Sequence, residues 1–265
     1  MMTAGAADCY QACLMLVLRS LLFNIAFYAN MIARLVLYLP LLVLPRAWLM
    51  AAVRNWAHSS LWLLRVIAGT KAEFRGVERI PVGGCIIASK HQSLWETFAL
   101  LTIIKDPVFV LKRELTWLPF FGWYAMKAQM IPVDRGKGAA ALAAMAQRVG
   151  EELAKGRQIV IFPEGTRRPP GAPPAYKYGL VHLYNTLEVP CLPIALNSGL
   201  YWPRRQFIKR PGTIIVECLP PIPPGLSRLT FRDQVAAEIE EASSRLIKEA
   251  QHADGTPVPA AAGAA

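Results

Sequence analysis

The sequence is short of the residues from which most small functional sites are built. It holds four histidines in 265 residues. Its five cysteines, Cys9, Cys13, Cys85, Cys191 and Cys218, are scattered and odd in number. That is no disulfide framework, and it implies reduced thiols in a domain facing the cytoplasm. Cys9 and Cys13 stand four apart with no histidine or further cysteine nearby, so no metal site is expected. Zinc-finger spacing, an RNP-type motif and a Lys/Arg block are all missing, which makes nucleic acid a weak reading. No G-x-S-x-G elbow occurs, which counts against a serine hydrolase of the usual kind. Acidic residues are few: 18 Asp and Glu against 29 Lys and Arg, a net charge of +11. The pI is about 9.7 and mean hydropathy is +0.31, with 54% hydrophobic residues. Basic plus apolar points to a membrane surface carrying anionic lipid, or to anionic substrates.

The apolar residues are concentrated in the first sixty positions. Residues 13–53, "CLMLVLRSLLFNIAFYANMIARLVLYLPLLVLPRAWLMAAV", are nearly all apolar and are punctuated by Arg19, Arg34, Arg46, Pro40 and Pro45. No basic n-region precedes this stretch and no A-x-A site closes a short apolar core, so a cleavable signal peptide is not expected. A spanning helix needs about 20 apolar residues. Leu21 to Leu44 has that length, with Arg34 inside it. Two readings stand. One is a single transmembrane helix with snorkelling arginines. The other is a pair of helices, bent near Asn30 or Pro40, lying partly in one leaflet. Residues 1–58 are read as an N-terminal apolar helical membrane anchor, and residues 59–69 as its dock on the domain.

From residue 70 the texture changes. "AEFRGV", "CIIASK", "PVFVLK", "AQMIPV", "QIVIFP", "VPCLPIAL" and "TIIVECL" read as strands. Helical stretches lie between them, the clearest being the alanine-rich run that stops at Gly156. Alternation of this kind predicts an α/β fold, a layered largely parallel or mixed sheet flanked by helices, over residues 59–251. "SRLTFRDQVAAEIEEASSRLIKEAQ" closes the domain as an amphipathic helix. Residues 252–265 are read as a disordered tail. No internal repeat is seen.

"CIIASK" should be a strand and "LWETFALL" a helix, which puts His91 in the turn between them. Residues five apart on a straight helix point about 140° apart, at roughly 100° per residue. His91 and Glu96 therefore meet only if His91 precedes the helix and folds back. A carboxylate on one ring nitrogen sets the tautomer and frees the other to take a proton. The bland alternative is that Ser93-Leu94-Trp95-Glu96 is a capping box, with His91 a loop residue. A second stretch, "QIVIFPEGTRRPPG", ends a strand with Glu164, Gly165, Thr166 and Arg167. Glycine lets backbone N–H groups approach an anion, and arginine forks onto phosphate oxygens. The bland alternative there is a turn with a surface arginine.

"HQSLWE", "KRELTWLPFFG", "FPEGTR" and "VPCLPIALNSG" occur in that order. Together they resemble the lysophosphatidic acid acyltransferase family (1-acylglycerol-3-phosphate O-acyltransferases) over roughly residues 60–225. That family carries a histidine-x4-aspartate box, a block around a lysine and P-x-x-G, an E-G-T-R block and a late V-P-x-x-P block. Glu96 stands where the family usually has aspartate, which changes reach but not charge.

The resemblance implies acyl transfer from a thioester to a glycerol hydroxyl. The acceptor is read as lysophosphatidic acid acylated at its sn-2 hydroxyl, and the donor as a thioester of coenzyme A or acyl carrier protein. The catalytic domain is expected on the cytoplasmic side of a membrane, a bacterial inner membrane. His91 would take the acceptor's proton and Glu96 would steady the imidazolium. Arg167, with the turn at Gly165 and Thr166, is the first candidate for the acceptor phosphate. Lys112 is the second, or a stabiliser of the oxyanion. Glu164 would hold the arginine or the turn. Arg113 and Arg135 are candidate helpers, with solvated surface charge as the plainer reading. Lys177 and Gly179 match a recurrent family feature of less defined role. Ser93 suits a helix start, and Cys85 suits the core. "LPFFGW" could line acyl-chain space, face the bilayer or be ordinary core. No metal or cofactor is implied. The rival readings are another lyso-lipid acceptor, a non-catalytic lipid-binding protein and a lipid hydrolase.

Overall fold

The structure, a computed structural model, describes residues 4–134, 136 and 138–254. Arg135 and the tail beyond residue 254 lie outside the described residues. Seven strands form one sheet in the order β1-β7-β6-β2-β5-β3-β4. They are β1 (Thr70–Arg75), β2 (Cys85–Ser89), β3 (Pro107–Lys112), β4 (Ile131–Val133), β5 (Gln158–Ile161), β6 (Cys191–Leu196) and β7 (Gly212–Cys218). The helices are α1 (Ala4–Leu37), α2 (Arg46–Leu63), α3 (Trp95–Ala99), α4 (Phe121–Lys127), α5 (Gly138–Leu153), α6 (Tyr178–Leu187), α7 (Ser198–Tyr201) and α8 (Arg228–Asp254). All neighbouring strands are parallel except β6 and β7, so the sheet is mixed.

All seven expected strands form, and their burial explains their composition. β2, β5 and β6 are buried along their whole length. A strand covered on both faces needs apolar side chains at every position, not at alternate ones. In β2, Cys85 and Ile87 point into one core and Ile86 and Ala88 into the other. α5, α6 and the first part of α8 cover one face. α1, α2 and α3 cover the other. Cys85, Cys191 and Cys218 are buried free thiols, and burial pushes the Cys85 and Cys218 thiols up to about 12. β1 stops at Gly76, whose φ is +68° and where a Cβ would sit 2.5 Å from the Cys218 carbonyl oxygen.

Local chemistry sets the element ends. α4 starts later than the apolar run suggests, because Pro119 and Phe120, with φ +62°, interrupt it. The N-terminal apolar stretch forms two helices. α1 is unbroken at Asn30; the chain turns at Leu39–Leu42, beside Pro40, and Pro45 precedes α2. Asn30 instead ties the pair together, donating from Nδ2 to Ser59 Oγ at 3.1 Å and Ser60 Oγ at 3.3 Å. Phe23 and Phe27 of α1 and Leu49 of α2 are buried in the same cluster as Trp95, Phe98 and Trp202. The stretch read as residues 1–58 and the α/β domain read as residues 59–251 thus share one core. α8 runs to Asp254, past the boundary expected at residue 251.

Candidate active site

The carboxyl ends of three adjacent parallel strands, β6, β2 and β5, meet at one place. In open α/β sheets, sites collect at such an edge. β2 delivers Lys90 and His91, β5 delivers Phe162 to Arg168, and β6 delivers Asn197 and Ser198. β2 is central, so the turn that leaves it is flanked on both sides.

His91 is held at every group but one. Its backbone N–H donates to Glu164 Oε2 at 2.8 Å. Its carbonyl accepts from the Arg168 N–H at 2.8 Å. Its ring stacks on Phe162, with centroids 4.0 Å apart and planes 19° from parallel. Nδ1 lies 2.8 Å from Glu96 Oε1. A carboxylate only accepts, so in the neutral ring Nδ1 carries the proton and Nε2 the lone pair.

Glu96 is fully buried, and its oxygens receive four donors. Oε1 accepts from His91 Nδ1 and from the N–H groups of Gln92 and Ser93, both at 2.7 Å. Oε2 accepts from Ser198 Oγ at 2.8 Å. Glu96 thus makes contacts of both kinds, although the helix itself begins at Trp95. Glu96 reaches back to the Ser93 N–H as in a capping box, and it also orients the histidine. Ser93 Oγ accepts from the Trp95 N–H at 3.2 Å, a helix-start contact.

A buried ion cluster lies behind the histidine. Lys90 is 2% exposed, and its Nζ stands 2.7 Å from Glu164 Oε1 and 2.5 Å from Glu240 Oε1 of α8. Tyr176 donates its hydroxyl to the same Glu240 oxygen at 3.0 Å. Burial pushes the Glu164 carboxyl above the usual range, and the Lys90 charge and the His91 N–H oppose that shift. The Tyr176 hydroxyl is pushed up by burial and by the two carboxylates. Glu164 thus supports the backbone of His91, and among the described residues no hydrogen bond or ion pair joins it to Arg167.

In front of the histidine lies a cleft of about 220 Å³ lined by His91, Thr166, Arg167, Arg204 and Arg205. Gly165 takes φ +67° and closes the turn, donating its N–H to the Phe162 carbonyl at 3.0 Å. That left-handed conformation favours glycine. Burial holds the Arg167 pKa below its ordinary value; Glu96 opposes that shift and Arg204 adds to it.

The structure thus brings His91, Glu96, Glu164, Gly165, Thr166 and Arg167 together. Lys112 is elsewhere: β5 separates its strand from β2, about 10 Å at ordinary strand spacing. It is exposed and pairs with Glu114 at 2.9 Å. Arg113 pairs with Asp134 at 2.8 Å and lies over the Trp117 ring. Lys177 is exposed, and its N–H donates to the Pro163 carbonyl at 2.7 Å, fixing the same loop. In "LPFFGW", Leu118, Phe121 and Trp123 are exposed. Ser198, Lys90, Glu240, Arg204 and Arg205 escaped the sequence reading. A lysine ending an apolar strand and an Arg-Arg pair were the available signals.

The sequence profile of the acyltransferase family matches residues 71–197. The 1-acyl-sn-glycerol-3-phosphate acyltransferase of Pseudomonas aeruginosa is 45% identical over 175 residues, 66% of this chain and 68% of its own. The chain belongs to the 1-acyl-sn-glycerol-3-phosphate acyltransferase family. The mouse alpha form is 29% identical over 211 residues, 76% of this chain and 71% of its own. The crystal structure of the Thermotoga maritima 1-acyl-sn-glycerophosphate (LPA) acyltransferase PlsC has the same fold, with a TM-score of 0.73 over 87% of this chain and 97% of that one, at 22% identity. In this acyltransferase, His91, Glu96 and the Glu164–Arg167 loop all fall inside the matched region, whereas α1, Arg204, Arg205 and Glu240 fall outside it.

Proposed function

We propose that this protein moves a fatty acyl group from an acyl thioester to the sn-2 hydroxyl of lysophosphatidic acid, giving phosphatidic acid. The observation that carries the reading is the pairing of His91 Nδ1 with buried Glu96 at 2.8 Å, at a cleft ringed by arginines. His91 Nε2 takes the proton of the acceptor hydroxyl as its oxygen attacks the thioester carbonyl. Glu96 stabilises the imidazolium. The tetrahedral intermediate collapses, the C–S bond breaks, and the imidazolium returns its proton to the leaving thiolate. The Arg167 guanidinium holds the acceptor phosphate by two oxygens. The thioester is carried by coenzyme A or acyl carrier protein.

The reaction takes place at a membrane surface. Tyr10–Leu37 of α1 is 28 residues long and holds an 18-residue stretch of mean hydropathy 1.8, long and apolar enough to cross a bilayer. One side of it is docked through Phe23, Phe27, Ser20 and Asn24. Leu14, Leu18, Ile25 and Ile32 are exposed on it. A helix docked lengthwise on its own domain, with an apolar face turned out, suits a seat in one leaflet. Reduced thiols favour the cytoplasmic face of a bacterial inner membrane.

The test is purified full-length protein with lysophosphatidic acid and labelled acyl-CoA, and separately with labelled acyl carrier protein. Labelled phosphatidic acid is the expected product. Release of free fatty acid alone would make it a hydrolase. No turnover of either donor would make it a binding protein, and turnover only with a different lyso-lipid would reassign the acceptor.

A further inference from the structure

Some arginines of the molecule pair with carboxylates, and others, such as Arg54 and Arg79, donate to backbone carbonyls instead. Arg46 pairs with Asp106, Arg75 with Glu249, Arg157 with Glu152 and Arg245 with Glu217. Among the described residues no carboxylate forms an ion pair with Arg167, Arg204 or Arg205. Like charges gathered beside one another repel, and an anion between them relieves that cost.

We propose that Arg204 and Arg205 complete, with Arg167, a clamp for a doubly charged phosphate group, and that α1 sets this clamp over His91. Arg204 Nη1 donates to the Arg167 carbonyl at 3.1 Å, which ties the two arginine-bearing loops together. The loop carrying Arg204 and Arg205 is fastened at both ends to α1. Before it, Trp202 packs edge-on against Phe23 and Phe27, with centroids 5.2 and 5.3 Å apart. After it, Asn24 Nδ2 donates to the Phe207 carbonyl at 3.1 Å, and the Lys209 N–H donates to Ser20 Oγ at 3.0 Å. The buried Lys209 amine donates to the Gln206 and Phe207 carbonyls at 2.9 Å each, and burial lowers its pKa to about 8. Arg205 takes φ +58°, a left-handed conformation that a non-glycine side chain adopts when its surroundings impose it.

Phosphate could reach this cleft on the acceptor or on the thioester carrier. Geometry favours the acceptor. Its reacting hydroxyl and its phosphate sit on adjacent carbons of one glycerol, within about 5 Å by ordinary bond lengths. His91 takes the proton of that hydroxyl, so the phosphate must lie close to His91. The phosphates of a coenzyme A or carrier-protein donor are separated from the thioester by the pantetheine arm. The proposal rests on the acyl-transfer reading only in naming which molecule brings the phosphate.

The experiment uses the full chain in mixed micelles, as wild type, Arg204→Gln, Arg205→Gln and the double variant. Each substitution should raise the KM for lysophosphatidic acid about tenfold, the size of one charge-assisted hydrogen bond. The KM for acyl-CoA should stay within about twofold. The effect should disappear with monoacylglycerol, which lacks the phosphate. Arg148→Gln, on the outer face of α5 and paired with Glu151, is the surface control. Asn24→Ala should raise the acceptor KM a few-fold by loosening the loop, with donor KM unchanged. An unchanged acceptor KM in the double variant overturns the clamp. A raised donor KM instead hands the arginines to the carrier and overturns the clamp. Calorimetric binding of glycerol 3-phosphate to the same proteins separates the two proposals. If wild type binds it and the double variant does not, the clamp stands even where transfer fails. Equal binding by both removes it, and an ineffective Asn24→Ala removes the part assigned to α1.

Discussion

At the scale of single residues, the site turns on one carboxylate with four donors. Glu96→Gln is a precise probe because the amide can keep the geometry. Its oxygen can stay with His91, Gln92 and Ser93, and its NH₂ can face Ser198 Oγ, a hydroxyl that can accept. The turn survives and only the negative charge is lost. Thermal stability should therefore change little, while kcat falls by one to three orders of magnitude, on the order of the general-base contribution. His91→Ala should cost about 10² to 10⁴-fold in kcat with the fold intact. Circular dichroism melts and steady-state kinetics on both variants check this. Near-normal turnover in either would end the general-base assignment.

At the scale of elements, the unexpected connection runs from β2 to α8. Lys90 sits between Glu164, which holds the His91 backbone, and Glu240, which also accepts from Tyr176. Lys90→Met leaves two carboxylates facing each other without the cation. Removing one partner of a buried pair costs about 3–5 kcal/mol. The pH dependence has a definite sign. Burial already raises the Glu164 pKa above its ordinary 4.5, and Lys90 is the charge that opposes this, so the variant raises it further. A carboxyl with a raised folded pKa stabilises the fold below its unfolded value and loses that contribution as pH rises through the folded one. The stability deficit of Lys90→Met should thus be small near pH 4.5 and grow toward neutrality. Urea melts at a series of pH values measure it; a deficit that is flat across that range would detach Lys90 from Glu164.

At the scale of the whole molecule, the apolar N-terminus is structural and outward-facing at once. Phe23, Phe27 and Leu49 belong to the main core, so cutting the chain before residue 54 would remove core as well as any anchor. Substitutions on the outer side are the cleaner measurement. Leu14→Ser, Leu18→Ser and Ile25→Ser together change exposed side chains only. The triple variant should melt like wild type yet float less with vesicles of anionic lipid. Activity on short-chain, micellar lysophosphatidic acid should persist while activity on bilayer-borne acceptor falls. Unchanged flotation would place the membrane contact somewhere other than this face.

Much of this was legible in the sequence because it is local. Strand runs such as "CIIAS" and "QIVI" announce themselves because strands covered on both faces need apolar residues throughout. His91 and Glu96 lie five apart across one turn, so their pairing comes from where a strand ends and a helix begins. Gly165 and Arg167 share one loop. What the sequence could not determine depends on distant segments arriving together. Lys90 meets Glu240 across 150 residues, Arg204 reaches the Arg167 carbonyl across 37, and Lys209 reaches Ser20 across 189. Lys112 shows the same limit from the other side: it stands in a recognisable block, yet strand order places it two strands from His91. Short-range pairing is set by backbone geometry that each residue carries with it. The arginine cleft and the buried ion cluster are set by the order β6-β2-β5 and by the docking of α1 and α8, which only the packed sheet decides.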